Sequence, residues 1–247
     1  MNNFIITFRK YLADNRKQLI LWLALALGGI IFLGAVHAFF RVDNDTSQGI
    51  YMVFAPLLMC CFASVTFTNM KRPAGRIAEL TLPTTTFNRF AVRWVMAIPA
   101  TLLLFIAGAW LTELLRMTLW PVFNDTTCPG SLDIFLFTEK TSAITVYFLF
   151  LLLTLSFFFF GAIAWPRLSF LKSAIVQWAI STIIGIISVT SIFLFFKDNH
   201  IGPLSGNDID FELYSTLSIT FLSVLIVGLW IMAWLRVRES EVTDHLL

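Results

Sequence analysis

Six long apolar runs separated by short polar links make up most of this chain. The runs cover residues 18–40, 50–68, 94–116, 143–165, 173–196 and 214–235. About 20 apolar residues at 1.5 Å each cross the roughly 30 Å hydrocarbon core of a bilayer as a helix. Backbone groups in lipid must bond within their own segment, and the alternation typical of a membrane barrel is absent from the sequence. The pattern predicts an all-α polytopic membrane protein with a six-helix transmembrane domain over residues 18–235.

The polar segments alternate in charge along the chain. Thirteen of the seventeen Lys and Arg residues lie before the first run, in the second and fourth links, and in the tail 236–247. These segments hold five acids, a net of +8, whereas the rest of the chain holds four basic residues and ten acids, a net of −6. Lys and Arg that flank membrane helices stay on the cytoplasmic side. Both termini are therefore predicted to be cytoplasmic, with the chain in the cell (plasma or inner) membrane.

Residues 1–17 are predicted to form an amphipathic interfacial helix, or elbow helix, ahead of the first span. Phe4, Phe8, Tyr11 and Leu12 recur at helical spacing, and polar residues occupy another face. Such a helix can lie among the headgroups with its apolar side toward the acyl chains. The alternative is a solvated leader. The long polar segment ahead of the first run argues against a cleaved signal peptide. The tail 236–247 is predicted to be a short solvated end.

Composition agrees with a membrane protein and leaves no room for a soluble catalytic domain. Hydrophobic residues make up 58% of the chain, and the mean hydropathy is +0.82. Charged residues make up 13%, about half of the share that is usual in soluble proteins. No link exceeds about 27 residues. Function must therefore lie in the spans and in short links.

The second link, residues 69–93, is the most patterned of the polar segments. It holds the helix breakers Pro73 and Gly75, then a short stretch of apolar and charged residues, which Pro83 ends. The threonines 84–86 offer helix N-caps. Apolar residues then follow at i, i+3, i+4 and i+7, up to Trp94. The pattern predicts a short cytoplasmic helix, a turn, and an amphipathic helix continuous with the third span.

Residues 75–94, GRIAELTLPTTTFNRFAVRW, resemble the signature region of ABC-2 type transporter permeases. In that family a Gly and a charged cluster precede a short LL-x-LP segment, and a Ser/Thr-Arg turn leads back to the membrane. Here Phe87 and Asn88 delay the arginine to Arg89. The family's six helices, cytoplasmic ends and elbow helix match the topology predicted above. In that family, this region forms a coupling helix that docks on the ATPase. The resemblance therefore implies coupling residues at Arg76, Ile77, Glu79, Leu80, Leu82, Pro83, Arg89 and Arg93.

The resemblance implies a transmembrane permease subunit of an ATP-binding-cassette transporter, with export as the favoured direction. Its implied partners are two copies of an ATPase subunit, a second permease copy or a homologous permease, and the lipid bilayer, with no nucleic acid. ATP and Mg would be bound by the ATPase, and no cofactor by this chain. Ile77, Leu80 and Leu82 are predicted to enter an ATPase groove, with Arg76, Glu79 and Arg89 on its polar rim. The alternative is a link that lies on the headgroups through its arginines.

Motifs that carry chemistry are sparse in the sequence. No P-loop GxxxxGK[ST] occurs, and the three histidines are too scattered to predict a metal site. Glu113 and Arg116, three residues apart, are predicted to form a surface ion pair at the outer end of the third span; the alternative is the mouth of a substrate path. The chain is thus predicted not to be an enzyme.

Two other function classes stay open. The first is a motorless membrane scaffold or accessory subunit without transport activity of its own. The second is a membrane enzyme whose catalytic groups lie in outer loops, with Asp208, Asp210 and His200 as candidates.

Overall fold

The computed structural model describes residues 2–67, 84–124, 141–165, 168–198 and 211–243, and every regular element in these ranges is an α-helix. The helices, in chain order, are α1 (Asn2–Asp14), α2 (Arg16–Phe39), α3 (Asn44–Val65), α4 (Thr86–Ala97), α5 (Pro99–Phe123), α6 (Thr141–Ala164), α7 (Ser169–Asp198) and α8 (Phe211–Thr243). The all-α prediction is confirmed for these residues.

Five segments of the described chain are long and apolar enough to cross a membrane. They are Arg16–Phe39, Thr46–Val65, Thr86–Phe123, Thr145–Ala164 and Ile219–Glu239. The fifth predicted run, 173–196, lies inside the 30-residue helix α7, which is not among the five. Multi-pass membrane character is therefore supported, whereas the sixth span and the placement of the termini stay predictions.

Several helix ends differ from the predicted runs. Helix α3 begins at Asn44 and so takes in most of the polar link between the first two predicted runs. The Asp43 carboxylate caps it by accepting from the Thr46 N–H at 3.2 Å. Helix α5 continues past 116 to Phe123, and α8 continues to Thr243 through most of the predicted solvated tail. Hydropathy fades at helix ends before the backbone hydrogen bonding does.

The predicted continuous helix from Phe87 into the third span is broken at Ile98. Pro99 has no N–H and disfavours helical geometry in the residue before it, so α4 ends at Ala97 and α5 begins at Pro99. The Thr101 hydroxyl donates to the carbonyl of Ala97 at 2.6 Å. Thr85 is the N-cap of α4, as the threonine run predicts, and its hydroxyl accepts from the Asn88 N–H at 3.4 Å.

Helix α6 lies at the centre of the bundle and packs against α3, α4, α7 and α8. Leu151, Leu155, Phe158 and Phe159 are buried along one face of α6, and Ser156 is buried on another. A helix that is apolar all round is the type that other helices can surround. The phenylalanine cluster 157–160 therefore contributes to helix packing through Phe158 and Phe159.

Helix α2 packs along α5 and only lightly against α3. Two glycines allow the close approach. A Cβ on Gly34 would lie 2.9 Å from the Leu115 Cβ, and a Cβ on Gly108 would lie 3.1 Å from the Ile30 Cδ1. Small residues let helix backbones approach closely in membranes, where apolar burial adds little driving force. Because α2 packs closely on α5 and only lightly on α3, an apolar groove remains between α2, α3 and α5.

Gly161 makes the tightest contact between α6 and α7. A Cβ at this position would overlap the Ser173 hydroxyl and lie 3.0 Å from the Ser173 Cβ. We expect Gly161→Ala to lower the free energy of unfolding in detergent by about 1–3 kcal/mol, the usual cost of overpacking. Gly228→Ala is the control, because a Cβ there meets nothing within 4 Å. Adding Ser173→Gly to Gly161→Ala should restore stability, and failure of this rescue would contradict the packing assignment.

Candidate functional site

The structure describes two of the eight predicted coupling residues. Arg76, Ile77, Glu79, Leu80, Leu82 and Pro83 lie outside the described residues. Arg89 and Arg93 lie on α4, in the last part of the link, and both are buried. Their surroundings show how the link is attached to the bundle.

Arg93 joins the two ends of the link. Its side chain is only 3% exposed, and its guanidinium carbon lies 4.7 Å from the centroid of the Phe67 ring. Phe67 stands at the end of the chain segment that precedes the link. A desolvated cation–π contact contributes about 2 kcal/mol. The described chain segments on either side of residues 68–83 therefore meet at this contact.

Two aromatic contacts fix this point to the central helix. The Phe67 and Phe159 ring centroids are 5.4 Å apart, and those of Phe90 and Phe159 are 5.8 Å apart. Phe67 and Phe159 are almost fully buried. We call the cluster of Phe67, Phe90, Arg93 and Phe159 the link base. It connects the end of α3, helix α4 and helix α6.

Arg89 is turned back on the start of its own helix. Its Nε donates to the Thr84 hydroxyl and its Nη2 to the Thr84 carbonyl, each at 3.1 Å. The residue is 8% exposed. Its place on the polar rim of an ATPase groove stays a prediction. Because Thr84 is the first residue of the link that the structure describes, Arg89 fastens this part of the chain to α4.

Helix α1 packs on α4 with polar side chains at the contact. Thr7 and Asn15 are buried, whereas Ile5 and Ile6 are exposed. A small polar cavity of about 30 Å³ lies between the helices and is lined by Lys10, Asp14, Arg89 and Arg93 among others. The predicted elbow helix is thus a helix, ending at Asp14, that contacts the link base side of α4. Its position in the membrane interface stays a prediction.

A second polar cluster lies at the opposite end of the bundle. Arg116 donates from Nε to Glu113 Oε2 at 2.9 Å and from Nη2 to Glu113 Oε1, and the two side chains are 0% and 3% exposed. The ion pair is therefore present, but the prediction that it lies on the surface is wrong. The α2–α3 turn covers it, since Arg116 Nη1 donates to the Val42 carbonyl at 3.0 Å.

Further hydrogen bonds fasten the same turn. The Ser47 hydroxyl and His37 Nδ1 are 2.6 Å apart, and Asn124 Nδ2 donates to the Ala38 carbonyl at 2.9 Å. Arg41 Nε donates to Asn124 Oδ1. Hydrogen bonding with Thr46 lowers the pKa of the exposed Asp43 carboxyl from its usual value. These contacts hold α2, α3 and α5 together at this end of the bundle.

Neither cluster is arranged as a catalytic or metal site. Among the described residues, no group of three or more His, Cys, Asp or Glu side chains could hold a metal ion. The carboxylate of Glu113 is occupied by Arg116, and the His37 ring is bound to Ser47. Both clusters instead hold together helices that are distant in sequence.

Comparison of the chain with protein-family models, with curated proteins and with solved structures gives no match.

The two (i, i+3) ion pairs in the described chain allow a matched test of burial. We expect Glu113→Gln to lower the free energy of unfolding by about 3–5 kcal/mol, because it removes the carboxylate that pairs with the buried Arg116 guanidinium. Glu239→Gln, in the exposed pair with Arg236, should change it by less than about 1 kcal/mol. Equilibrium unfolding in mixed detergent measures both. Equal, small effects in the two variants would contradict the buried pair.

Proposed function

We propose that this chain is the transmembrane permease subunit of an ATP-binding-cassette exporter, and that a separate ATPase subunit docks on the cytoplasmic link 69–93. The proposal includes six spans, an interfacial α1, two cytoplasmic termini and placement in the cell membrane. It is supported by the ABC-2-like pattern in residues 75–94, by the alternation of charge between the links, and by the link base.

The contact of Arg93 with Phe67 is the observation that carries the proposal. A subunit without its own motor needs a part that receives a push and passes it to the spans. The link base supplies this, because both ends of the link meet over the central helix α6 through Phe159. A link attached at two distant, loosely packed points would bend under load, whereas one closed at its base moves the helices with it.

The break at Ile98 gives the motion somewhere to act. Helix α4 contacts α1, α6 and α8, while α5 contacts α2 and α3. A displacement of the link would therefore rotate α4 against α5 about the Ala97–Pro99 junction. A few residues at a helix end can act as a hinge, because they absorb the change in backbone dihedral angles. The outer polar cluster would carry the response to α2 and α3 together.

The remaining parts of the transporter come from other chains. Six helices form half of a path, so a second copy of this chain or a homologous permease completes it. Two ATPase subunits bind ATP and Mg and hydrolyse the nucleotide. Binding that favours one of two conformations shifts their equilibrium by the difference in affinity.

A motorless scaffold or accessory subunit is the main alternative, because a rigid, closed link also suits a static attachment point. It predicts purification of the chain without any ATPase. The membrane-enzyme hypothesis depends on Asp208, Asp210 and His200, which lie outside the described residues. Under that hypothesis alone, replacing those three residues would abolish an enzymatic activity of the chain.

The test replaces the apolar side chains that would enter the ATPase. We expect Leu80→Asp with Leu82→Asp to reduce co-purified, P-loop-containing ATPase at least about tenfold, since burying two unpaired carboxylates is strongly unfavourable. The amount of protein inserted in the membrane should not change. The matched control is Leu246→Asp with Leu247→Asp in the cytoplasmic tail, which should keep the ATPase. Unchanged co-purification in the link variant would refute docking at this site.

A further inference from the structure

The groove between α2, α3 and α5 is almost entirely apolar. It encloses about 310 Å³ and runs along α2 from Leu19 to Leu33. Fourteen residues at 1.5 Å each give a length of about 21 Å. One leaflet of a bilayer has a hydrocarbon depth of about 15 Å, half of the roughly 30 Å core. The groove is therefore long enough to follow a lipid chain through the whole of one leaflet.

Water is a poor occupant of this groove. The Tyr51 hydroxyl already donates to the Phe105 carbonyl at 2.7 Å, and the Thr101 hydroxyl to the Ala97 carbonyl at 2.6 Å. The indole of Trp22 is the remaining polar side chain in the lining. Ordered water needs two to four polar partners, and apolar cavities stay dry. The lining selects a hydrocarbon occupant.

The groove has a basic end. Leu19 and Leu23 line it, and Arg16 lies three residues before Leu19, on the same helical face. Arg16 and its neighbour Lys17 are both exposed. Asp14 is the single acid among residues 1–42, which also contain Arg9 and Lys10. Trp22, which packs edge-on against Phe62 at 6.0 Å, is of a residue type enriched at membrane interfaces. A negative headgroup would find complementary charge here.

We propose that this groove is a binding site for an anionic phospholipid of the inner leaflet. One acyl chain lies between α2, α3 and α5, and the phosphate-bearing headgroup meets Arg16 and Lys17. The occupant is a resident lipid of the bilayer, not transported cargo. The assignment uses the predicted cytoplasmic side of the N-terminus and needs no ATPase, so it can fail or hold independently of the proposed transport function.

The two adjacent glycines of α2 supply a matched pair of variants. Gly29 lines the groove, with Leu58 Cδ1 3.8 Å from where its Cβ would be, whereas a Cβ on Gly28 meets nothing within 4 Å. Gly29→Leu fills the groove, and Gly28→Leu makes the same chemical change on the outer face. Ala26→Leu is a second groove-filling variant in case Gly29→Leu does not fold, because Ala26 also lines the groove.

The experiment uses the purified full chain in phosphatidylcholine vesicles. A trace of phosphatidylglycerol with a photoreactive group in its acyl chain is added, and in parallel the matching photoreactive phosphatidylcholine. We expect phosphatidylglycerol to label groove residues of α2 and α3 in preference to phosphatidylcholine. Gly29→Leu and Ala26→Leu should cut this labelling about tenfold, as exclusion of about two methylene groups predicts, and Gly28→Leu should leave it unchanged.

The headgroup contact has its own variant. Arg16→Gln with Lys17→Gln should lower phosphatidylglycerol labelling about fivefold for each charge removed, toward the level of phosphatidylcholine. Three results would overturn the proposal. The first is equal labelling of Gly29→Leu, Ala26→Leu and Gly28→Leu. The second is equal labelling by the two lipids in the unaltered chain. The third is disulfide formation between two copies of a Phe54→Cys chain that lacks its native cysteines, together with no lipid label. The last would place a second copy in the groove.

Discussion

The contact between the Arg93 guanidinium and the Phe67 ring closes the second link onto the bundle. It joins the end of α3 to α4 directly, beside the aromatic contacts of Phe67 and Phe90 with Phe159. A buried arginine is costly unless its charge is compensated, and here an aromatic face lies 4.7 Å away. Phe159 then connects the pair to α6, the helix around which most of the others pack. The link base therefore connects the end of α3 and helix α4 to the centre of the bundle.

Buried polar contacts at the two ends of the bundle each fasten a different connection between helices. At the link base, Arg93 and Arg89 fasten the returning chain, and α1 covers α4. At the outer end, the pair of Glu113 with Arg116 binds the α2–α3 turn through Val42. Between the ends, packing is apolar and uneven, since α2 follows α5 closely and leaves a groove against α3. In low-dielectric surroundings such paired groups hold geometry well, and the unpaired state is costly. Motion imposed at one end can therefore reach the other through stiff segments.

Hydropathy located the helices well, because the length of an apolar run is a local property of the chain. Five of the predicted runs coincide with segments able to span a membrane. The ends were less predictable: the Asp43 cap, the break at Pro99 and the extension of α8 to Thr243 depend on hydrogen bonding and not on hydropathy. Burial of Arg93, Glu113 and Arg116 could not be predicted, since it depends on helices distant in sequence. The sequence carries one weak signal for the burial of Arg93. An arginine in an amphipathic helix next to a membrane span needs a partner for its charge.

The most direct test of the account measures whether a push on the link reaches the outer end through the link base. In a chain with its native cysteines replaced, the exposed Thr118 of α5 is changed to Cys, and its rate of thiol labelling is followed in the complex with and without ATP. The account predicts that ATP changes this rate when Arg93 is present. In Arg93→Leu the ATPase still co-purifies, but the two rates become equal. A full response to ATP in Arg93→Leu would contradict the claim that the link base transmits motion.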